Sequence, residues 1–95
     1  MIFLDQITHG HFEPLTGQVF QSGELALTLD AVELLGNKRA DAARDPFSLL
    51  FRGPQGLRVA QGIYRLKNES LGEMEIFITQ VADGPKGSQF EAVFT

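Results

Sequence analysis

The stretch GIYRLKNESLGEMEIFITQV, residues 62–81, decides the fold. Ile63, Arg65 and Lys67 alternate with Tyr64 and Leu66, and Glu73, Glu75 and Phe77 alternate with Met74, Ile76 and Ile78. That period of two belongs to half-buried strands. Folding the two halves about a loop at 68–72 sets Lys67 against Glu73 and Arg65 against Glu75. The same register sets Leu66 against Met74 and Tyr64 against Ile76. A slip of one residue would turn the charges into the core, so burial of one face specifies the pairing. Opposite charges across a ladder contribute only about 0.2–1 kcal/mol a pair, so they select this register more than they drive it.

Working outward, SQFEAVFT (88–95) alternates in the same way and is expected to return along 74–78. Phe90 would then lie near Ile78, Ala92 near Ile76 and Phe94 near Met74. The stretch PFSLLFRGP (46–54) is a strand with Phe47, Leu49 and Phe51 on one side, stopped by Gly53-Pro54. Placed on the free side of Tyr64, it completes buried rows Phe51–Tyr64–Ile76–Ala92 and Leu49–Leu66–Met74–Phe94. The opposite face then reads Leu50–Arg65–Glu75–Val93 and Arg52–Ile63–Phe77–Glu91. Apolar side chains beside ion pairs call for cover. The first expectation is cover within the monomer, with the N-terminal turn or a strand at 25–30 closing a barrel. The second is a partner surface of Leu50, Ile63, Phe77 and Val93, flanked by Arg52 and Glu91.

GQVFQSGELALTLDAVELLG (17–36) admits two readings. A helix over 24–35 would have Ser22 as a cap and Gly36 as a stop. Against it, Leu25, Leu27 and Leu29 alternate with Ala26, Thr28 and Asp30, and Ser22-Gly23 suits a hairpin pairing Phe20 with Leu25. The hairpin is preferred, with a bulge near Ala31-Val32 where the alternation slips. Upstream, Thr8 is the expected cap of one helical turn over 9–13, with Ile7 and Phe12 spaced as a hydrophobic staple. Pro14 keeps that turn short. GNKRADAARDP (36–46 with its closing Pro46) reads as the longest loop.

Ninety-five residues make one domain, which buries roughly 60–65% of the surface its unfolded chain exposes. No apolar run approaches the ~20 residues of a membrane helix, and MIFLDQ lacks the marks of a signal peptide, so a cytoplasmic chain without a membrane partner is expected. With no cysteine, disulfides, thiolate catalysis and sulfur-ligated zinc drop out. The net charge of −4 is unevenly spread: residues 1–37 carry five acids and no base, residues 38–67 seven bases and two acids, and residues 68–95 five acids and one base. The central block invites a nucleic-acid reading, with Arg52, Arg65 and Lys67 near Phe77 and Ile63. Acidic partners on neighbouring strands account for it more simply.

Few residues carry chemistry. His9 and His11, with Asp5 and Glu13 nearby, are the metal-ligand candidates, but i, i+2 spacing on a helical turn points the rings apart. Ser22, Ser48, Ser70 and Ser88 lie in no nucleophile elbow. Glu73, Glu75 and Glu91 offer paired carboxylates, although the first two face cations. The glycines of RGPQG and DGPKGS do not lie between a strand and a helix, as a phosphate loop requires, and read as connections. No catalytic residue and no cofactor is expected.

Five fragments, FEPLTGQVF, PFSLLFRGP, QGIYRL, LGEMEIFITQV and FEAVFT, span most of the chain. In this order they resemble a family of short, uncharacterised bacterial proteins, a domain of unknown function. The resemblance implies a small all-β domain with no established activity. Some members seated near phage-tail-like genes imply a structural or assembly role. Members tend to have Pro near the end of the fifth strand, where this chain has Gln80, and to close with Asn where Thr95 stands.

The reading is a single all-β domain of about six antiparallel strands, a small barrel or closed sandwich with a short N-terminal helical turn. Its expected role is a protein-interaction or structural module, the partner being another subunit or itself. The alternative is a barrel that binds a small ligand at Tyr64 and Arg65. A metal-dependent enzyme using His9 and His11 comes third.

Overall fold

The hairpin at 62–81 forms in the register its charges select. In the computed structural model, which describes residues 7–36 and 46–94, Lys67 faces Glu73, Arg65 faces Glu75, Leu66 faces Met74 and Tyr64 faces Ile76. Asn68 and Gly72 still pair, so the turn is 69–71 rather than the five residues expected. The elements are α1 (His9–Phe12), a 3-10 turn (Glu13–Leu15), β1 (Val19–Ser22), β2 (Leu25–Leu34), β3 (Phe47–Gly53), β4 (Gly62–Asn68), β5 (Gly72–Gly84) and β6 (Gly87–Phe94). The strand reading of 25–34 holds against the helical one. The loop read at 36–46 lies outside the described residues except for Gly36 and Pro46, as do Asp5 and Thr95.

The sheet closes on itself in the order β1-β2-β3-β6-β5-β4, and Gln21 opposite Lys67 completes the ring. All neighbours are antiparallel. The inner face takes Phe20, Leu27, Leu29, Phe47, Leu49, Phe51, Leu66, Met74, Ile76, Ile78, Phe90, Ala92 and Phe94, all buried. A ring of six strands leaves room for side chains and nothing else. One end is stoppered by α1. Thr8 caps it from extended backbone, and Phe12 enters the barrel with its ring centroid 6.2 Å from Phe20, 5.9 Å from Phe47 and 5.7 Å from Phe94. Phe47 and Phe94 stack at 4.7 Å.

Three expectations about pairing are corrected. The strand PFSLLFRGP lies between β2 and β6, not beside Tyr64: Leu49 faces Val32 and Ala92, and Phe51 faces Leu29 and Phe90. Its alternation suits any inner wall equally well, so hydrophobic pattern alone left its neighbours open. β6 sits two residues further along β5 than expected, with Phe90 opposite Gln80 and Glu91 opposite Thr79. DGPKGS, read as a loop, is mostly ladder, with Asp83 facing Ser88 and Gly84 facing Gly87, and an extra residue bulges between Gln80 and Ala82. Phe20 pairs with Leu27 rather than Leu25, because the turn is Gly23-Glu24. Each two-residue shift keeps the same side chains inside, which is why the core survived the errors. The bulge expected near Ala31 falls at Asp30.

The other end is closed by residues 54–61, which cross from β3 to β4 beneath β6 and β5. Their backbone is laced to the barrel by side chains. The Ser88 hydroxyl donates to the Pro54 carbonyl at 2.9 Å, and the Gly56 N–H donates to Asp83 Oδ1 at 3.0 Å. The Gln80 amide accepts from the Val59 N–H and donates to the Leu57 carbonyl, both at 2.9 Å. The Tyr64 hydroxyl donates to the Ala60 carbonyl. At this end Gly87 has φ +115°, and a Cβ there would collide with the Gly53 carbonyl oxygen. Only glycine suits both conditions.

Candidate functional site

The outer face of β4, β5, β6 and β3 holds the residues that the sequence offered as a surface. Ile63 faces Phe77, Glu91 faces Thr79 on one side and Leu50 on the other, and Val93 faces Ser48. Continuing the β5–β6 ladder two residues past Thr79–Glu91 brings Phe77 level with Val93. One level of the wall therefore runs Ile63–Phe77–Val93, and the next runs Thr79–Glu91–Leu50. Arg52 stands apart from this group. It faces Gln89 and Thr28, and its guanidinium lies 3.5 Å from Asp30 on β2.

Cover within the monomer, the first expectation, fails for most of this wall. Ile63 is 67% exposed, Phe77 51% and Val93 54%, while Leu50 is half-buried. The strand at 25–34 does close a barrel, but by the edges of the sheet, and α1 enters the barrel's end instead of lying on its side. The row stops at β3, where Ser48 is only 4% exposed. On the next level, Arg65 and Glu75 lie 3.4 Å apart in solvent. Within the basic central block, Arg52 is thus answered by Asp30 from one flanking segment and Arg65 by Glu75 from the other.

The other candidates are drawn into structural work. The His11 Nδ1 accepts the Thr8 N–H at 2.9 Å, leaving its proton on Nε2, and His9 Nδ1 lies 2.9 Å from Glu13 Oε1. The two rings serve different partners, and among the described residues no three His, Cys, Asp or Glu side chains converge. Ser88 is spent on Pro54, and the Ser70 hydroxyl donates to Gln18 Oε1 at 3.4 Å. Tyr64 and Arg65, the small-ligand candidates, point to opposite faces of β4, Tyr64 against the core and Arg65 into solvent. Phenyl rings already fill the interior that a ligand would need.

Residues 7–94 match one family, described as a domain of unknown function, DUF6916. The chain belongs to that family. No curated protein and no solved structure matches it. Membership of DUF6916 brings no catalytic or ligand residue to transfer, so the site rests on its own geometry. No helix among the described residues is long and apolar enough to cross a membrane, which says nothing of a membrane-spanning β-barrel.

The sequence reading passed over two residues. Asn68 is buried and ties the turn 69–71 to β1, and Gln80, noted only as a departure from the family pattern, holds the 54–61 connection. Asn at the head of N-E-S-L-G is a turn signal. Nothing near Gln80 in the chain points to a loop more than twenty residues away.

Proposed function

We propose that this barrel is a protein-interaction or structural module of a larger bacterial or phage-derived assembly in the cytoplasm. It meets another protein subunit through the outer wall of β4, β5 and β6. The observation that supports this is the row Ile63–Phe77–Val93, three apolar side chains, each more than half exposed, on three neighbouring strands. Single exposed apolar residues are ordinary, whereas a contiguous set is the mark of a contact surface. Arg65 and Glu75 on one side and Glu91 on the other provide the polar rim that such surfaces carry. The bacterial and assembly parts of the reading rest on the likeness of FEPLTGQVF, PFSLLFRGP and the other fragments to the family.

Phe77→Glu tests it. The side chain points outward, so the variant is expected to keep the wild-type far-UV circular dichroism, with Tm within about 4 °C. A protein captured specifically by the wild type from its source lysate should no longer be retained. An unfolded variant, or one that retains the same protein, would remove the wall as the surface.

A further inference from the structure

The seam between β1 and β4 is incomplete. All seven residues of β4 pair with β5, but only Lys67 pairs with β1. β1 ends at Ser22, so among the described residues the second edge of β4 meets no strand from Gly62 to Arg65. Two inward-facing side chains flank the gap, Leu25 at the start of β2 and Tyr64 on β4. Both are only half-buried, while Leu27, Leu29, Leu66 and Ile76 further along the same strands or their neighbours are fully covered. A groove of about 530 Å³ opens at the Arg65 end of this gap on the outer face, lined by Gln21, Ser22 and Gly23 of the β1–β2 hairpin and by Arg65, Lys67 and Glu73.

We propose that this slot receives an extended segment of a partner protein, which adds to the free edge of β4 as a strand. This deepens the interaction-module reading and rests on it. An unpaired edge offers main-chain N–H and C=O groups to any extended chain, and its side-chain pockets then choose among sequences. The groove carries two cations against one carboxylate. Arg65 and its partner Glu75 are 68% and 57% exposed and 3.4 Å apart, a weak pairing that leaves guanidinium donors for a second carboxylate. The favoured segment has an acidic residue level with Arg65 and an apolar one two positions away, level with Ile63. The residue between them points inward over Tyr64.

The test is selection of random displayed heptapeptides on the folded chain, followed by synthesis of an acetylated, amidated peptide from the enriched set. The expected peptide carries an acid and an apolar residue two apart. Its binding slows hydrogen exchange at the alternate amides of residues 62–65 that face away from β5, and methylating its amide nitrogens that face β4 abolishes binding. Arg65→Glu weakens it by about tenfold or more, the size of a lost charge-assisted hydrogen bond. The peptide's own binding and the protection it confers read the slot, while lysate capture with Phe77→Glu reads the wall, so failure of the wall and failure of the slot are separately visible. The proposal is overturned if no peptide is enriched, if N-methylation has no effect, or if the protected amides lie elsewhere. It is also overturned if the amides of 62–65 become protected with rising protein concentration alone, since a second copy then occupies the edge.

Discussion

Asn68 makes all four hydrogen bonds its amide allows. Its Nδ2 donates to Gln18 Oε1 at 3.2 Å and to the Val19 carbonyl at 3.1 Å, and its Oδ1 accepts the Ser70 and Leu71 N–H groups at 2.9 and 3.0 Å. One side chain thus forms the turn between β4 and β5 and stitches that turn to β1, beside the single backbone pair that closes the barrel. Asn68→Ala strips two donors of their acceptor and opens the seam. It should cost about 2 kcal/mol or more, seen as a fall in Tm of roughly 10 °C or more. A change below a few degrees would mean that water replaces the amide at no cost. At this scale the sequence was legible wherever a residue's partner is set by alternation, as with Arg65 and Glu75. It was silent where the partner lies across the closure, as with Asn68 and Gln18, or beside a bulge that shifts the register, as with Arg52 and Asp30.

At the scale of elements, the 54–61 connection shows how irregular chain is kept on a barrel end. Leu57 and Val59 pack against the core, and five main-chain groups between Pro54 and Ala60 bond to side chains of β4, β5 and β6. Gln80 acts as a short piece of strand, pairing with the carbonyl of Leu57 and the N–H of Val59. Gln80→Ala should therefore loosen this connection without melting the barrel. Trypsin is expected to cut after the exposed Arg58 at least about tenfold faster in the variant, while Tm falls only modestly. An unchanged cleavage rate would show that Leu57 and Val59 hold the segment by packing alone. The paired strands were readable because two-residue periodicity is local. The neighbours of β3 were not, because a closed ring pairs strands by geometry that leaves no trace in any one segment.

For the molecule as a whole, one aromatic core runs from Phe12 at one end through Phe20 and Phe51, whose rings lie 5.3 Å apart, and the buried apolar side chains among the described residues form one cluster. Unfolding should be a single transition. Tyr64 is the sole tyrosine and there is no tryptophan, so tyrosine emission reports the β4 seam while far-UV circular dichroism reports every strand. The two melting curves are expected to coincide. An earlier loss of the Tyr64 signal would mean that the seam opens ahead of the sheet, at the weak point where β1 and β4 share one pair.

The strand order has a further consequence for how the chain is made. β6 is the last of the six strands in chain order, yet it sits between β3 and β5, so without it the sheet is an open ribbon, β3-β2-β1-β4-β5, joined at its middle by the single Gln21–Lys67 pair. A chain that stops before Gly87 therefore leaves β3 and β5 each with a bare edge and the ribbon with an uncovered apolar face. The barrel closes only once residues 87–94 are available, and a product cut short before Gly87 would be a substrate for chaperones or proteases rather than a partly working domain.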